Sequence, residues 1–520
     1  MRLGLLWVSA VAITITVALL GCGSAETLSD PGETSKPPSS GSGVGGPACV
    51  NVDPSRAAPE NGCGVFVSST LGSDDNPGTR EQPVQTLRTA LTLALDGARR
   101  VYACAEMFHE AAEVPAGMEV WGGLDCADGW THVGDTTKTT IAPGEPGVIA
   151  LRLLAGEGRA TIVDVRAEAE SGAEPGASSI AALVEPGAAA VIQRCELVAR
   201  DGAEGAEGEP GGGPGAPPQA QAGADGLPGS NACGADVILG GAAVVTSCDG
   251  VESIGGKGGN GRATYGDDGE DGQPVPEVTQ GQKGKGGFGQ NGDHTQCMSG
   301  WVGHAGLDGA HGLGAHGLGR ITLAGWEGVA GEDGTDGLPG QGGGGGGGMR
   351  GPLYTECGVG QPRGGASGGS GGAGGCGGKG GKGGGSGGAS IGLVTLSADI
   401  TLQDTIIITG HGGNGGRGGL WQGGGLGGDG GVGGVGWYSG SGCGGGRGGQ
   451  GGNGGFGGGG LGGPTLGIAH VIAQPVTLER VTFTIGSAGK GGDGGSPFVT
   501  LPGTTGEDGL EADVQGFAVE

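Results

Sequence analysis

Apolar positions between residues 64 and 125 keep two regular spacings. The run 64–69 (GVFVSS) alternates as a short strand, and the turn-rich 71–83 (LGSDDNPGTREQP) ends it. Val84, Leu87, Ala90, Leu91, Ala94 and Leu95 then recur at steps of three and four, which predicts one amphipathic helix. Val101 to Cys104 returns to alternation, and 114–126 (VPAGMEVWGGLDC) follows as strand and turn.

Further along, one pattern repeats irregularly in 160–176, 188–208, 242–261, 398–416 and 474–495. Each copy has a short alternating strand, a polar two-residue corner, a second short strand and an exit into glycine. The runs 390–396 (SIGLVTL) and 465–472 (TLGIAHVI) supply a third strand per unit. Three strands per repeat predict stacked coils of parallel strands, with Ile400, Leu402, Ile406 and Ile408 pointing inward. The expected fold is all-β, a right-handed parallel β-helix with one N-terminal capping helix. That helix would cover backbone groups left open at the first coil. The expected divisions are a signal peptide (1–21), a Ser/Pro/Gly tether (22–47), the cap region (48–130), coils (131–261), a glycine-rich insertion (262–389) and coils with glycine-rich loops (390–520).

The order "GSDDNPGT…P…TL…AL" leading to Val101, Phe108 and Glu110, then to 114–123, resembles the opening of pectin-lyase-like β-helix proteins. Ala105 stands where glycine is usual there, and Phe108 where tyrosine is usual. The resemblance spans about 65 residues and implies fold rather than activity.

Glycine makes up 140 of 520 residues, about four times the usual share of roughly 7%. It concentrates in runs such as GGNGGRGG and GGDGGVGGVG at the exits of the coils. Glycine has no side chain to bury and loses the most backbone freedom on ordering. Such runs are either a loose fringe or a packed bundle of polyglycine-II-like strands, with 410–463 the stretch best suited to packing. Collagen triplets in 303–318 and 328–340 break within a few repeats, which excludes a triple helix. The runs are also similar to the glycine-rich segments of PE-PGRS surface proteins, without their PE domain.

The N-terminus gives an address. Arg2 precedes an apolar stretch from Leu5 to Leu20 that is short for a membrane span. Leu19-Leu20-Gly21-Cys22 resembles the lipobox of bacterial lipoproteins, which implies cleavage before Cys22 and acylation of that residue. Gly23 in place of an aspartate favours the outer membrane or cell surface. Without Cys22, 11 of the 12 cysteines remain, so at least one stays unpaired within the chain. Proximity suggests Cys49 with Cys63 and Cys104 with Cys126. A net charge of −28 with no basic stripe excludes nucleic acid as a partner.

Candidate chemistry is sparse. Gly410-His411-Gly412 resembles the GHG motif of polygalacturonases, but the accompanying aspartate pairs and Arg-x-Lys are missing, and Asp404 stands alone. His304, Asp308, His311 and His316 are the metal candidates, although their spacings fit neither a helix nor a strand face. Aspartates in 266–272, 331–337, 427–431 and 491–495 invite a calcium reading without the spacing of an RTX repeat or an EF-hand. They are read as turn residues, and no cofactor is expected. Trp121 and Trp130 are read as packing around Cys126. The expected function is a non-catalytic, lipid-anchored surface protein for structure or adhesion, with the membrane and surface polysaccharide or protein as partners. The alternative is a polysaccharide-binding or carbohydrate-active β-helix.

Overall fold

The computed structural model describes residues 53–276, 281–352, 356–396, 399–436, 440–472, 476–496 and 502–518. All belong to one compact unit, Pro47–Glu520. Three sheets of parallel strands form its spine. The first holds Val65–Val67, Arg100–Cys104, Glu119–Asp125, Arg159–Val163, Ala189–Gln193, Asp399–Gln403 and Thr477–Glu479. The second runs from Met107–Phe108 through Thr139–Ile141, Val165–Glu168, Glu196–Val198 and Ile406–Ile408 to Thr482–Thr484. The third contains Ala112–Val114, Leu151–Leu153, Ser179–Val184, Ser390–Thr395, Thr465–Val471 and Glu511–Phe517. From Arg100 onward the chain visits first, second and third sheet in that order, again and again.

Parallel register stacks like on like. Ile162, Ile192 and Leu402 form one inward column, and Ala182, Leu393 and Ile468 another, each at most 1% exposed. Side chains alternate across each strand, so such columns make a continuous aliphatic core. The expected inward set is half right. Ile400 and Leu402 are buried, but Ile406 is 39% exposed and Ile407 is the buried neighbour. Between the two strands Asp404 takes φ 47° at the corner and Thr405 turns inward, which resets the alternation by one residue.

The helix forms at Leu87–Leu95, with Val84 instead bridging to Val67. Thr86 caps it by accepting the Thr89 amide. Glu110 accepts the Leu87 and Arg88 amides, placing a carboxylate at the positive end of the helix dipole. Leu87, Ala90, Leu91 and Ala94 are the buried face of the helix and join the aliphatic core.

The segment 242–261, expected as a coil, pairs with itself. Val244–Cys248 and Val251–Gly255 form an antiparallel hairpin closed by Asp249 and Gly250 at φ 50° and 87°. Both central residues at positive φ make the tight turn that splits this segment from the parallel stack. The insertion therefore lies between the strands Glu196–Val198 and Ser390–Thr395, longer than the expected 262–389.

Glycine segments bond to one another at every third residue. Gly331, Gly334, Gly337, Gly340, Gly343 and Gly346 donate to the carbonyls of Gly384, Gly381, Gly378, Gly375, Gly372 and Gly369, an antiparallel pairing. Gly372, Gly375, Gly378, Gly381 and Gly384 donate onward to Gly446, Gly449, Gly452, Gly455 and Gly458, a parallel one. This period belongs to extended chains of three residues per turn, which have no internal hydrogen bonds and must bond sideways. The collagen-like run 303–312 joins the same lattice through Gly303, Gly306, Gly309 and Gly312.

How many glycines a triplet carries follows from how many ribs surround it. The central run 341–348 touches six: 256–259, 267–273, 287–290, 298–304, 366–372 and 443–449. No face is left for a side chain, and the run is Gln341 followed by seven glycines. Around 411–435 one face stays open, and every third residue points outward: His411, Asn414, Arg417, Leu420, Leu426, Asp429, Val432 and Val435. Trp421 and Gln422 occupy positions that are glycine in the neighbouring triplets. Rib 203–230 loops away there, and the Gln422 amide reaches the Pro217 carbonyl in the loop.

Candidate functional site

The four metal candidates do not converge. Asp308 Oδ1 accepts the Asn453 amide at 2.6 Å, and His311 Nδ1 accepts the Phe456 amide at 3.1 Å. His316 Nδ1 sits 2.9 Å from the Gly314 carbonyl. His304 is 8% exposed, and burial together with Lys283 holds its imidazole below the usual range. Among the described residues no group of three His, Cys, Asp or Glu side chains is placed to hold a metal ion.

Asp308 and His311 belong to a wider device. Where an outward residue's amide faces an adjacent parallel rib, a short acceptor side chain on that rib receives it. Asp201 takes the His411 amide, Asn414 that of Lys490, Asp225 that of Asp429, and Asn231 that of Val435. His411 itself accepts the Ser487 amide, so the GHG triplet is a rung of the lattice. These amides find their partners in side chains that reach sideways from the adjacent rib.

Aspartates of 266–272 and 331–337 are similarly engaged, in the lattice rather than in turns. Asp336 accepts the Gly380 amide and the Lys379 ammonium, and Asp333 accepts Gly383 and Lys382 in the same way. Asp271 repeats the motif with Gly286 and Lys285. The three Lys-Gly steps at 285, 379 and 382 are each gripped by one carboxylate of an opposing rib. For Asp333 the Lys382 contact is the leading reason its carboxyl lies below the usual range.

Cys104 and Cys126 are disulfide-bonded, with Cα atoms 5.6 Å apart. Cys63 is also in a disulfide, whereas Cys49 and the lipidation candidate Cys22 lie outside the described residues. Three more bridges, Cys233–Cys357, Cys248–Cys376 and Cys297–Cys443, pin the glycine layer. Among the described residues the free thiol is Cys195, buried in the core. Desolvation pushes it up to about 12, so it is neither nucleophile nor ready ligand. Maleimide should label Cys195 only after unfolding; labelling of the native chain at the rate of a free thiol would contradict this placement. Trp130 packs edge-on against Phe66 at 4.8 Å, and Trp121 donates to Glu119 beside Cys126, as packing requires.

One buried ionic cluster lies outside the motifs of the sequence. Asp164, 1% exposed, accepts from Arg194 at 2.6 Å and lies 2.9 Å from His132 Nε2 and 3.4 Å from Lys138 Nζ. It sits at the corner between first and second sheets, and Asp164, Arg194, Asp404 and Arg480 repeat that corner at φ 56°, 51°, 47° and 53°. Left-handed backbone disfavours such residues by about 1–2 kcal/mol each. Asp164 pairs with Arg194 inside the cluster, and Asp404 pairs with Arg480 at the surface. The signal was present in the repeat, since these residues occupy equivalent corners of alternating charge.

Burial alone would raise the Asp164 carboxyl, but the hydrogen bonds from Arg194 and His132 outweigh it and hold it below the usual carboxylate range. A depressed folded value stabilises the fold above the unfolded value near 3.9, and that stability is lost as pH falls through the folded one. Asp164→Asn should therefore cost about 2 kcal/mol at neutral pH and flatten the acid limb of the stability curve below about pH 4, measured by urea denaturation. An unchanged acid limb would rule out this carboxylate as its source.

Chemically, the cluster is a closed ion network, with each carboxylate oxygen already held by a cation. Comparison with protein-family models, curated proteins and solved structures returns no match to this chain.

Proposed function

We propose that this chain is a lipid-anchored outer-membrane or cell-surface protein with a structural or adhesive role. In this reading the three parallel sheets form a right-handed β-helix, and the ribs form a polyglycine-II-like slab along it. The observation that carries the proposal is the three-residue hydrogen-bond lattice, which sets outward side chains such as His411, Asn414 and Arg417 at fixed steps. Extended chains of this kind rise about 3.1 Å per residue, so such side chains repeat about every 9 Å. A rigid slab of evenly spaced groups suits repeated contacts with a surface better than turnover of one substrate. Asp308, His311 and His411 spend their side-chain acceptors on lattice amides.

One feature favours polysaccharide as the contacted surface. Trp421, 37% exposed, stands edge-on 6.1 Å from Phe456, which lies 5.1 Å from His311. An exposed aromatic face can stack on a sugar ring.

The test compares cells carrying the chain with cells carrying Cys22→Ser. Globomycin-sensitive processing, membrane fractionation and binding of cells to immobilised polyuronate and β-glucan are measured. The expected result is membrane-bound chain and increased adhesion without depolymerisation. Soluble wild-type chain would overturn the anchor, and metal-dependent cleavage of either polymer would overturn the non-catalytic role.

A further inference from the structure

Five Asn-Gly steps occur in the chain: Asn61-Gly62, Asn260-Gly261, Asn291-Gly292, Asn414-Gly415 and Asn453-Gly454. Asn-Gly is the dipeptide most prone to cyclise, because glycine leaves its own amide nitrogen unobstructed. The fold treats the five differently. Gly415 and Gly454 spend their amides in the lattice, on the carbonyls of Lys490 and Gln422. Asn260 is tied to Gly240 and Asp267, and Gly261 lies in a paired strand. Asn61 is fixed at both ends of its amide by Arg80 and Glu81.

Asn291 and Gly292 are exposed in a turn, with open space around Gly292. There the Asn291 Oδ1 accepts two backbone amides, Asp293 at 2.8 Å and His294 at 2.9 Å, while the Asn291 amide donates to the His294 carbonyl. Two donors thus hold the oxygen on which negative charge grows when the side-chain carbonyl is attacked, the arrangement of an oxyanion hole.

We propose that Asn291 is a site of spontaneous backbone-directed deamidation built into this turn. The Gly292 nitrogen loses its proton to hydroxide and bonds to Asn291 Cγ. The Cγ–Nδ2 bond breaks as Nδ2 takes a proton from water, which restores the hydroxide; ammonia leaves, and a five-membered succinimide remains. Water opens the ring at either carbonyl to give aspartate or isoaspartate, with no change of oxidation state. The product adds a carboxylate between ribs 287–290 and 298–304, close in sequence to the Cys297–Cys443 bridge.

The full chain, kept native in mildly alkaline buffer, is unfolded at intervals, digested and mapped by mass and by separation of isoaspartyl peptides. Asn291 should convert about tenfold or more faster than Asn260, Asn414 and Asn453, whose glycines are held in the lattice or a paired strand and whose Oδ1 atoms each accept one backbone amide rather than two. Gly292→Ala should suppress the reaction at this site while leaving the chain folded, and in reducing guanidinium all five steps should react at similar rates. Native conversion of Asn291 no faster than Asn414, or slower than Asn61, would overturn the proposal.

Discussion

Replacing Gly345 with alanine is expected to break the glycine layer, at a cost of about 4 kcal/mol or more. A Cβ there would lie 1.9 Å from the Lys257 carbonyl oxygen, where ordinary contact begins at 3.4 Å. The obstacle is backbone, so no rotamer change relieves it. Rib 256–259 would have to retreat, and it is held by the Gly256 and Gly259 amides on the Gly343 and Gly346 carbonyls. The Gly345 amide on Glu270 and the Gly287 amide on Gly345 share the strain. Each such bond is worth about 1 kcal/mol net, and overpacking adds about 1–3. A side-chain change at an outward position should be nearly silent: Val432, 71% exposed, is the control as Val432→Ala, which removes two methyl groups into open solvent. Urea denaturation and limited proteolysis of the two variants give the measurement. Equal protease resistance for Gly345→Ala and the native chain would mean that the central run is not packed as described.

Much of the spine was legible because a parallel stack writes itself into sequence as a repeat of short alternating strands. Ile400, Leu402 and the corner before the second strand were all visible. The parity of Ile406 and Ile407 was not, since one residue in left-handed backbone shifts every later side chain to the other face. Residues 242–261 matched the strand pattern equally well as a coil or a hairpin. The deciding feature was Asp249-Gly250, a strong short-range hairpin signal that the repeat had masked. The glycine runs were the least legible. Composition says only that side chains are missing, whereas the structure shows that missing side chains make room for neighbouring ribs. The spacing nevertheless held a clue. Uninterrupted glycine at 342–348 marks the most enclosed rib, and the Trp421-Gln422 break marks a gap beside one. The Asp164 cluster was not legible because its partners, at 132, 138 and 194, meet only once the parallel strands are paired.

The second large effect is expected from the disulfides of the layer. Ordering a residue's backbone costs about 1–2 kcal/mol, and glycine ordering is the most expensive. A lattice hydrogen bond returns only about 1 kcal/mol, and a glycine rib buries little apolar area to make up the difference. Constraining the unfolded chain is the remaining lever. Cys233–Cys357, Cys248–Cys376 and Cys297–Cys443 close separations of 124, 128 and 146 residues, far longer than the 22 of Cys104–Cys126. In the chain-entropy account a loop of 100 residues is worth about 4.7 kcal/mol, so removing Cys297–Cys443 as Cys297→Ser with Cys443→Ser should cost about 4–5 kcal/mol. The loss should fall on the layer first. Amides of Gly342 to Gly348 should lose hydrogen-exchange protection, while those of Val101, Val120 and Ile162, in the aliphatic core, keep theirs. Loss of protection at both sites together would show that layer and spine unfold as one cooperative unit, and that the bridges stabilise the whole molecule rather than its glycine half.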